Sequence, residues 1–78
     1  QIRGLVRNFA GKPVAASVEI KPLGKRLKVD AGGAFEVDVP PGDYRVVVRA
    51  RGYRTQVRKA LVEEKGVTVL VVDLRRRR

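Results

Sequence analysis

From residue 30 to residue 53 the chain reads D-A-G-G-A-F-E-V-D-V-P-P-G-D-Y-R-V-V-V-R-A-R-G-Y, and few folds can accept that string. Phe35, Val37 and Val39 alternate with Glu36 and Asp38; further on, Tyr44, Val46, Val48 and Ala50 alternate with Arg45, Val47 and Arg49. Apolar residues at a period of two mark a strand with one face in a core. Pro40-Pro41-Gly42-Asp43 separates the two runs, because proline has a fixed φ and no N–H to give to a ladder. Gly52-Tyr53 stops the second run. The segment therefore reads as two strands and a turn, with no helical spacing.

The same grammar extends along the chain. Residues 2–7 form a first strand, and N-F-A-G-K-P at residues 8–13 turns it. Residues 14–21 place Ala16, Val18 and Ile20 on one face and Ser17, Glu19 and Lys21 on the other. Residues 25–29 resume the alternation with Leu27 and Val29 inward, and residues 54–62 and 67–74 complete the set. Seven strands at intervals of about ten residues, separated by Gly, Pro and Asp turns, predict a seven-stranded antiparallel β-sandwich. One core is expected from Val18, Ile20, Phe35, Val37, Tyr44, Val46, Val48 and Leu74.

At 78 residues the chain makes one domain. A domain of that size buries only about 60% of the surface its unfolded chain exposes. Residues 1–74 constitute the sandwich, and Arg75, Arg76, Arg77 and Arg78 form a basic tail or the start of a linker. The start at Gln1 reads as a processed protein or a segment excised from a longer one. There is no cysteine and no histidine, which removes thiolate chemistry together with the commonest general base and metal ligand. Lack of cysteine leaves the redox compartment open. The longest apolar run, residues 67–72 with Thr68 inside it, falls far short of the roughly 20 residues of a helical membrane span.

One succession of residues carries a family likeness. Ile2-x-Gly4, Gly11-Lys12-Pro13-Val14 with Ala16-x-Val18-x-Ile20, Asp30-x-x-Gly33-x-Phe35, Pro41-Gly42-x-Tyr44-x-Val46-x-Val48-x-Ala50-x-Gly52-Tyr53 and the strand at 69–74 resemble the carboxypeptidase regulatory-like domain. That resemblance implies a prealbumin-like, or transthyretin-like, sandwich. It also implies an accessory module of a larger secreted, periplasmic or surface protein, with no catalytic motif to carry over. A cell envelope, periplasmic or extracellular location follows as an expectation, as does a bacterial envelope or surface protein as the parent. The family's usual Thr before the turn Asp is Val29 here, which alters a local hydroxyl hydrogen bond and leaves the strand intact.

No residue pattern supplies an active site, so no enzyme activity, metal or cofactor is expected. Asp30 could suggest a cation loop, yet Ca²⁺ takes about six to eight oxygens and this turn offers one carboxylate. Asp30 and Gly33 are read as turn residues instead, with Asp30 accepting backbone N–H groups. Asp38 and Asp43 flank a turn with no nucleophile beside them. The glycines at 32 and 33 lack the Lys-Ser/Thr ending of a phosphate loop and lead into a strand. Gly42 and Gly52 are expected at positive φ or at close contacts, and Tyr53 is expected to pack its ring at a corner while its hydroxyl reaches a backbone group.

Charge is the least neutral feature. Lys and Arg number 18 against 8 Asp and Glu, a net +10; without the four terminal arginines the body still carries +6. Arg45, Arg49, Arg51, Arg54, Arg58 and Lys59 crowd into two neighbouring strands. Arg45, Arg49 and Arg51 share one parity and predict a positive stripe on an outward face, with Arg54 and Arg58 joining it from the next strand. Such a stripe serves solubility and edge protection, or it recruits an anionic partner such as lipopolysaccharide, phosphorylated glycan, an acidic protein face or nucleic acid. Nucleic acid is the poorer match, since two Phe and two Tyr are all the aromatics available. Val69 and Val71 alternate with Leu70, Val72 and Leu74, so the last strand is apolar on both sides. That strand is expected to face a protein partner, a neighbouring domain of the same chain or a second copy of it.

Overall fold

A computed structural model describes residues 1–76. Among these residues there is no helix, and seven strands stack as two sheets: β1 (Ile2–Asn8), β2 (Ser17–Lys21), β3 (Lys25–Lys28), β4 (Ala34–Val37), β5 (Gly42–Arg49), β6 (Gln56–Val62) and β7 (Thr68–Leu74). A three-stranded sheet has the order β4-β1-β7, and a four-stranded sheet the order β3-β2-β5-β6. The two alternating runs of the 30–53 segment thus fall in different sheets. Pro40-Pro41-Gly42 carries the chain from one layer to the other rather than closing a hairpin. Tyr44 secures this corner: its ring is buried and its hydroxyl donates to the Pro40 carbonyl at 2.5 Å.

The sandwich departs from the expected wholly antiparallel arrangement at one place. β1 and β7 pair in parallel over seven residues, from Ile2 opposite Thr68 to Asn8 opposite Leu74. Parallel neighbours need a long crossover, and here the crossover is the whole of β2 to β6. Local turn signals cannot reveal such a pairing. Its consequence is that Gln1, whose carbonyl accepts from Thr68 N–H at 2.9 Å, and Arg75, whose carbonyl accepts from Arg54 N–H at 2.9 Å, lie at opposite ends of the sheet. Seven residues of strand separate them, about 23 Å.

Inward residues of both sheets meet in one core. Val18, Ile20, Phe35, Tyr44, Val46, Val48 and Leu74 are buried as expected, joined by Ile2, Val6, Ala60, Val62 and Val72. Val37 is only half-buried, because β4 is an edge strand. Phe35 stands opposite Gly4 in the β1–β4 register, and a Cβ on Gly4 would lie 2.1 Å from the Phe35 ring. The small residue at position 4 is therefore the seat of the largest core ring on that sheet.

Turn residues behave as chemistry dictates. Asp30 Oδ1 accepts from the N–H groups of Gly32 and Ala34, both at 2.9 Å, and Gly33 closes the turn at φ 81°. The Gly33 carbonyl also accepts from Val6 N–H at 2.7 Å, and a Cβ on Gly33 would lie 2.3 Å from the Val6 carbonyl oxygen. Gly42 (φ 154°) and Gly52 (φ 83°) hold positive φ with no close contact for a Cβ. At those two positions the demand comes from the backbone alone.

Candidate functional site

With the core accounted for, chemistry is left to the two outer faces. On the three-stranded sheet the register sets Glu36 beside Arg3 and Arg3 beside Val69, then Ala34 beside Leu5 and Leu5 beside Val71, then Arg7 beside Asp73. Arg3 Nε lies 3.5 Å from Glu36 Oε2, and Arg7 Nε lies 2.8 Å from Asp73 Oδ1. Gln1 bridges the first pair, accepting from Arg3 Nε at 3.2 Å and donating to Glu36. Every charged side chain on this face is thus opposite its counter-charge. Between the two pairs lies an apolar stripe of Ala34, half-buried Leu5 and Val71, with Val69 beside it. Val69 is 69% exposed and Val71 49%, so the domain's own loops leave both valines open.

The outer face of the four-stranded sheet is built differently. Lys21, Arg45 and Lys59 occupy one cross-strand row on β2, β5 and β6, and all three are exposed. Two residues along comes Arg26, Glu19, Val47 and Val57, and two further along Lys28, Ser17 and Arg49. Arg26 Nε lies 3.6 Å from Glu19 Oε2. Among the described residues that is the one ion pair on this face, and it consumes one of two acids; the other is Asp43. Val47 is only 6% exposed although it points away from the core. It sits on the floor of a shallow groove lined by Glu19, Arg26, Lys28 and Arg49. A second open groove, about 690 Å³, runs along Lys21, Pro22, Asp43, Tyr44, Arg45, Lys59, Ala60 and Leu61.

The expected arginine stripe is therefore redistributed. Arg45 and Arg49 stand on the outer face of β5 as parity requires. Arg51 and Arg54 are exposed but lie in the connection after β5, beyond the ladder. Arg58 does not join the stripe: its register partner is Val46, an inward residue, and its guanidinium donates to Gln56 Oε1 at 3.1 Å at the open edge of the core layer. The six-residue link from Arg49 to Gln56 sets the phase of β6, and strand parity alone does not carry across it. Lys59 takes the outward place instead, and Lys21 completes the row from the other side. Lys21 was visible as an outward residue of β2; only the β2–β5 pairing brings it beside Arg45.

Tyr53 forms a third, smaller cluster where the layers meet. Its ring packs partly against the core, but its hydroxyl looks to side chains rather than to a backbone group. The Asn8 side chain first, and the Arg76 guanidinium second, stabilise its phenolate and hold its pKa below the usual tyrosine value. Arg76 also bridges to Tyr53 through the backbone, and Arg75 lies over the Phe9 ring at 4.9 Å. The first two arginines of the tail are thus docked on the domain; Arg77 and Arg78 lie outside the described residues. Among those described, no three of Asp, Glu, His or Cys converge as a metal site would require, and no helix is long and apolar enough to cross a membrane.

Comparison with known proteins gives a family and a fold. The sequence model of the carboxypeptidase regulatory-like domain matches residues 1–75. Human carboxypeptidase D is 27% identical over 71 residues, and the mouse protein of that name 30% identical over 71 residues; each alignment takes in 91% of this chain and 5% of the relative. The chain thus spans about a twentieth of the length of these curated relatives. Among solved structures, the Bacillus anthracis TIE protein contains a region that superposes with a TM-score of 0.78 over 96% of this chain and 16% of that one, at 18% identity. That is a likeness of fold.

Proposed function

Because the chain belongs to the carboxypeptidase regulatory-like domain family, whose members are typically non-catalytic modules of larger proteins, we propose that it is an in-line structural and interaction module that docks a neighbouring domain of its own polypeptide on the outer face of the three-stranded sheet. The observation that carries this reading is the composition of that face. Its charges are already spent on each other, in Arg3–Glu36 and Arg7–Asp73, and what remains open is the valine pair at 69 and 71. Covering such a face removes apolar area from water without stranding a charge. The parallel pairing of β1 and β7 supports the in-line part, since the chain enters at one end of the sheet and leaves at the other. A cell envelope or extracellular surface, the usual setting of such modules, is the location proposed for the parent protein.

Hydroxyl-radical footprinting tests the docking. Val69 and Val71 should label strongly in the isolated chain and weakly in the parent polypeptide, and Val69→Lys with Val71→Lys should restore protease access to the adjoining domain. Equal labelling of both valines in the two contexts would overturn the reading. Sedimentation of the isolated chain adds a control: a dimer abolished by the same double substitution would reassign the face to a second copy.

A further inference from the structure

The opposite face suits a different ligand, and its evidence is independent of the docking surface. Adjacent strands lie about 4.8 Å apart, so Lys21, Arg45 and Lys59 set three positive charges within about 10 Å of sheet. Like charges directly across a ladder destabilise it. On the three-stranded sheet each arginine stands opposite an acid, whereas here cation stands beside cation. Glu19 does not relieve the row: Arg26 holds it, and its side chain is only 18% exposed. Asp43, two residues from Arg45, faces the row at its margin.

The second cationic row, Lys28 and Arg49 around Ser17, lies four residues along the strands from the first, about 13 Å away. Between them runs a band with no net charge, made of the Arg26–Glu19 pair, buried Val47 and half-exposed Val57. We infer that this face binds an extended acidic polysaccharide, whose carboxylate, sulfate or phosphate groups meet the two cationic rows while its uncharged sugar surface crosses the Val47 band. Both open grooves of this face lie along that path.

Nucleic acid fits the same face less well for two reasons. Tyr44 and Phe35 are buried and Phe9 and Tyr53 lie with the Asn8–Arg76 cluster, so the face offers no aromatic on which a base could stack. A nucleic-acid strand also carries a charge about every 3.4 Å in duplex form, which would set phosphates over the neutral band, next to Glu19.

The test uses the full chain and three groups of probes: heparin for sulfate, polygalacturonate for carboxylate and a phosphomannan for phosphate, with duplex DNA and single-stranded oligo-dT beside them. Five protein cations, Lys21, Lys28, Arg45, Arg49 and Lys59, that displace the counterions of a single anionic strand imply that affinity falls about 100-fold between 50 and 200 mM salt. The Lys21→Gln, Arg45→Gln, Lys59→Gln triple variant should bind the preferred polysaccharide at least tenfold more weakly at about 50 mM salt, and its salt-dependent loss should shrink to less than about tenfold. Its denaturant midpoint should equal or exceed that of the wild type, which separates lost binding from lost folding. A second variant, with Arg75, Arg76, Arg77 and Arg78 all changed to Gln, should retain most of the affinity. The inference is overturned if the tail variant loses binding while the triple variant keeps it, if either DNA probe binds more tightly than all three polysaccharides, or if none of the polysaccharides binds.

Discussion

The two outer faces are made from the same kind of strand and differ in what the register sets side by side. On the three-stranded sheet, Arg3 meets Glu36 and Arg7 meets Asp73, and two valines are left open. On the four-stranded sheet, Arg45 meets Lys21 on one side and Lys59 on the other, while the valine at its centre, Val47, is 6% exposed. One face has neutralised its charge and leaves Val69 and Val71 open; the other sets cation beside cation around a covered Val47, with Val57 and Leu61 exposed on its edge strand. A net charge of +10 is therefore not spread evenly over the molecule. The lesson is that overall composition states how much charge a small sandwich carries, and pairing decides which side is free to use it.

Both faces stand on one core, and substitutions in that core carry the largest expected effects. Phe35→Ala should cost about 3–5 kcal/mol, by emptying the space over Gly4. Gly33→Val should be comparably severe, since a Cβ meets the Val6 carbonyl at 2.3 Å on top of the strain at φ 81°. Gly52→Val should cost only the backbone term, about 1–2 kcal/mol, because nothing lies within 4 Å of its Cβ position. Denaturant unfolding followed by probes on each face checks all three; two separate transitions would break the picture of a single core.

Charge removal sharpens the contrast, because its sign should differ between the faces. Arg7→Gln removes one side of the 2.8 Å pair with Asp73, both partners being about two-fifths exposed, and should destabilise by about 0.2–1 kcal/mol. Arg45→Gln relieves repulsion on both flanks and should stabilise by a few tenths of a kcal/mol in dilute buffer. Both shifts should shrink toward zero near 1 M salt, where the Debye length is about 3 Å. Chemical denaturation with urea at two ionic strengths measures this, and an equal loss of stability from the two substitutions would erase the distinction between the faces.

The smallest effect concerns the place where the two layers meet. Tyr53 should titrate below the ordinary tyrosine value, and Asn8→Ala should return its midpoint toward that value, as should Arg76→Gln. A tyrosine whose folded pKa is lowered adds stability at pH above its unfolded pKa and loses it as pH falls through the folded one. The contribution is thus full in solution more alkaline than the ordinary tyrosine pKa and is lost as pH falls through the lowered one. Ultraviolet difference titration of the phenolate detects the shift, and a midpoint unmoved by the Asn8 substitution would remove Asn8 as its cause.

Much of this was legible in the residues. The alternation of Tyr44, Val46 and Val48 with Arg45, Val47 and Arg49 assigned β5 its two faces, the Asp30–Gly33 turn was recognisable by composition, and the openness of Val69 and Val71 followed from the alternation of β7. Other features were not legible. Gly4 reads as a weak strand residue until Phe35 is seen above it. Strand phase carried across a link of unknown geometry assigns Arg58 to the outward stripe, and the structure puts Lys59 there instead. Lys21 lies 24 residues before Arg45 in the chain and becomes its neighbour only through the β2–β5 ladder.

By itself, then, the sequence determined that the chain is a seven-stranded sandwich, which side of each well-patterned strand enters the core, and that it carries neither His nor Cys. Those properties are local: strand parity repeats every two residues, and turn chemistry is confined to a few consecutive positions. The tertiary structure alone decided that β1 and β7 run parallel, that the Arg3 and Arg7 charges are neutralised, and that Lys21, Arg45 and Lys59 stand in a row. Register between strands distant in the chain is set by how the whole core closes, and a slip of one residue exchanges every side chain between the faces.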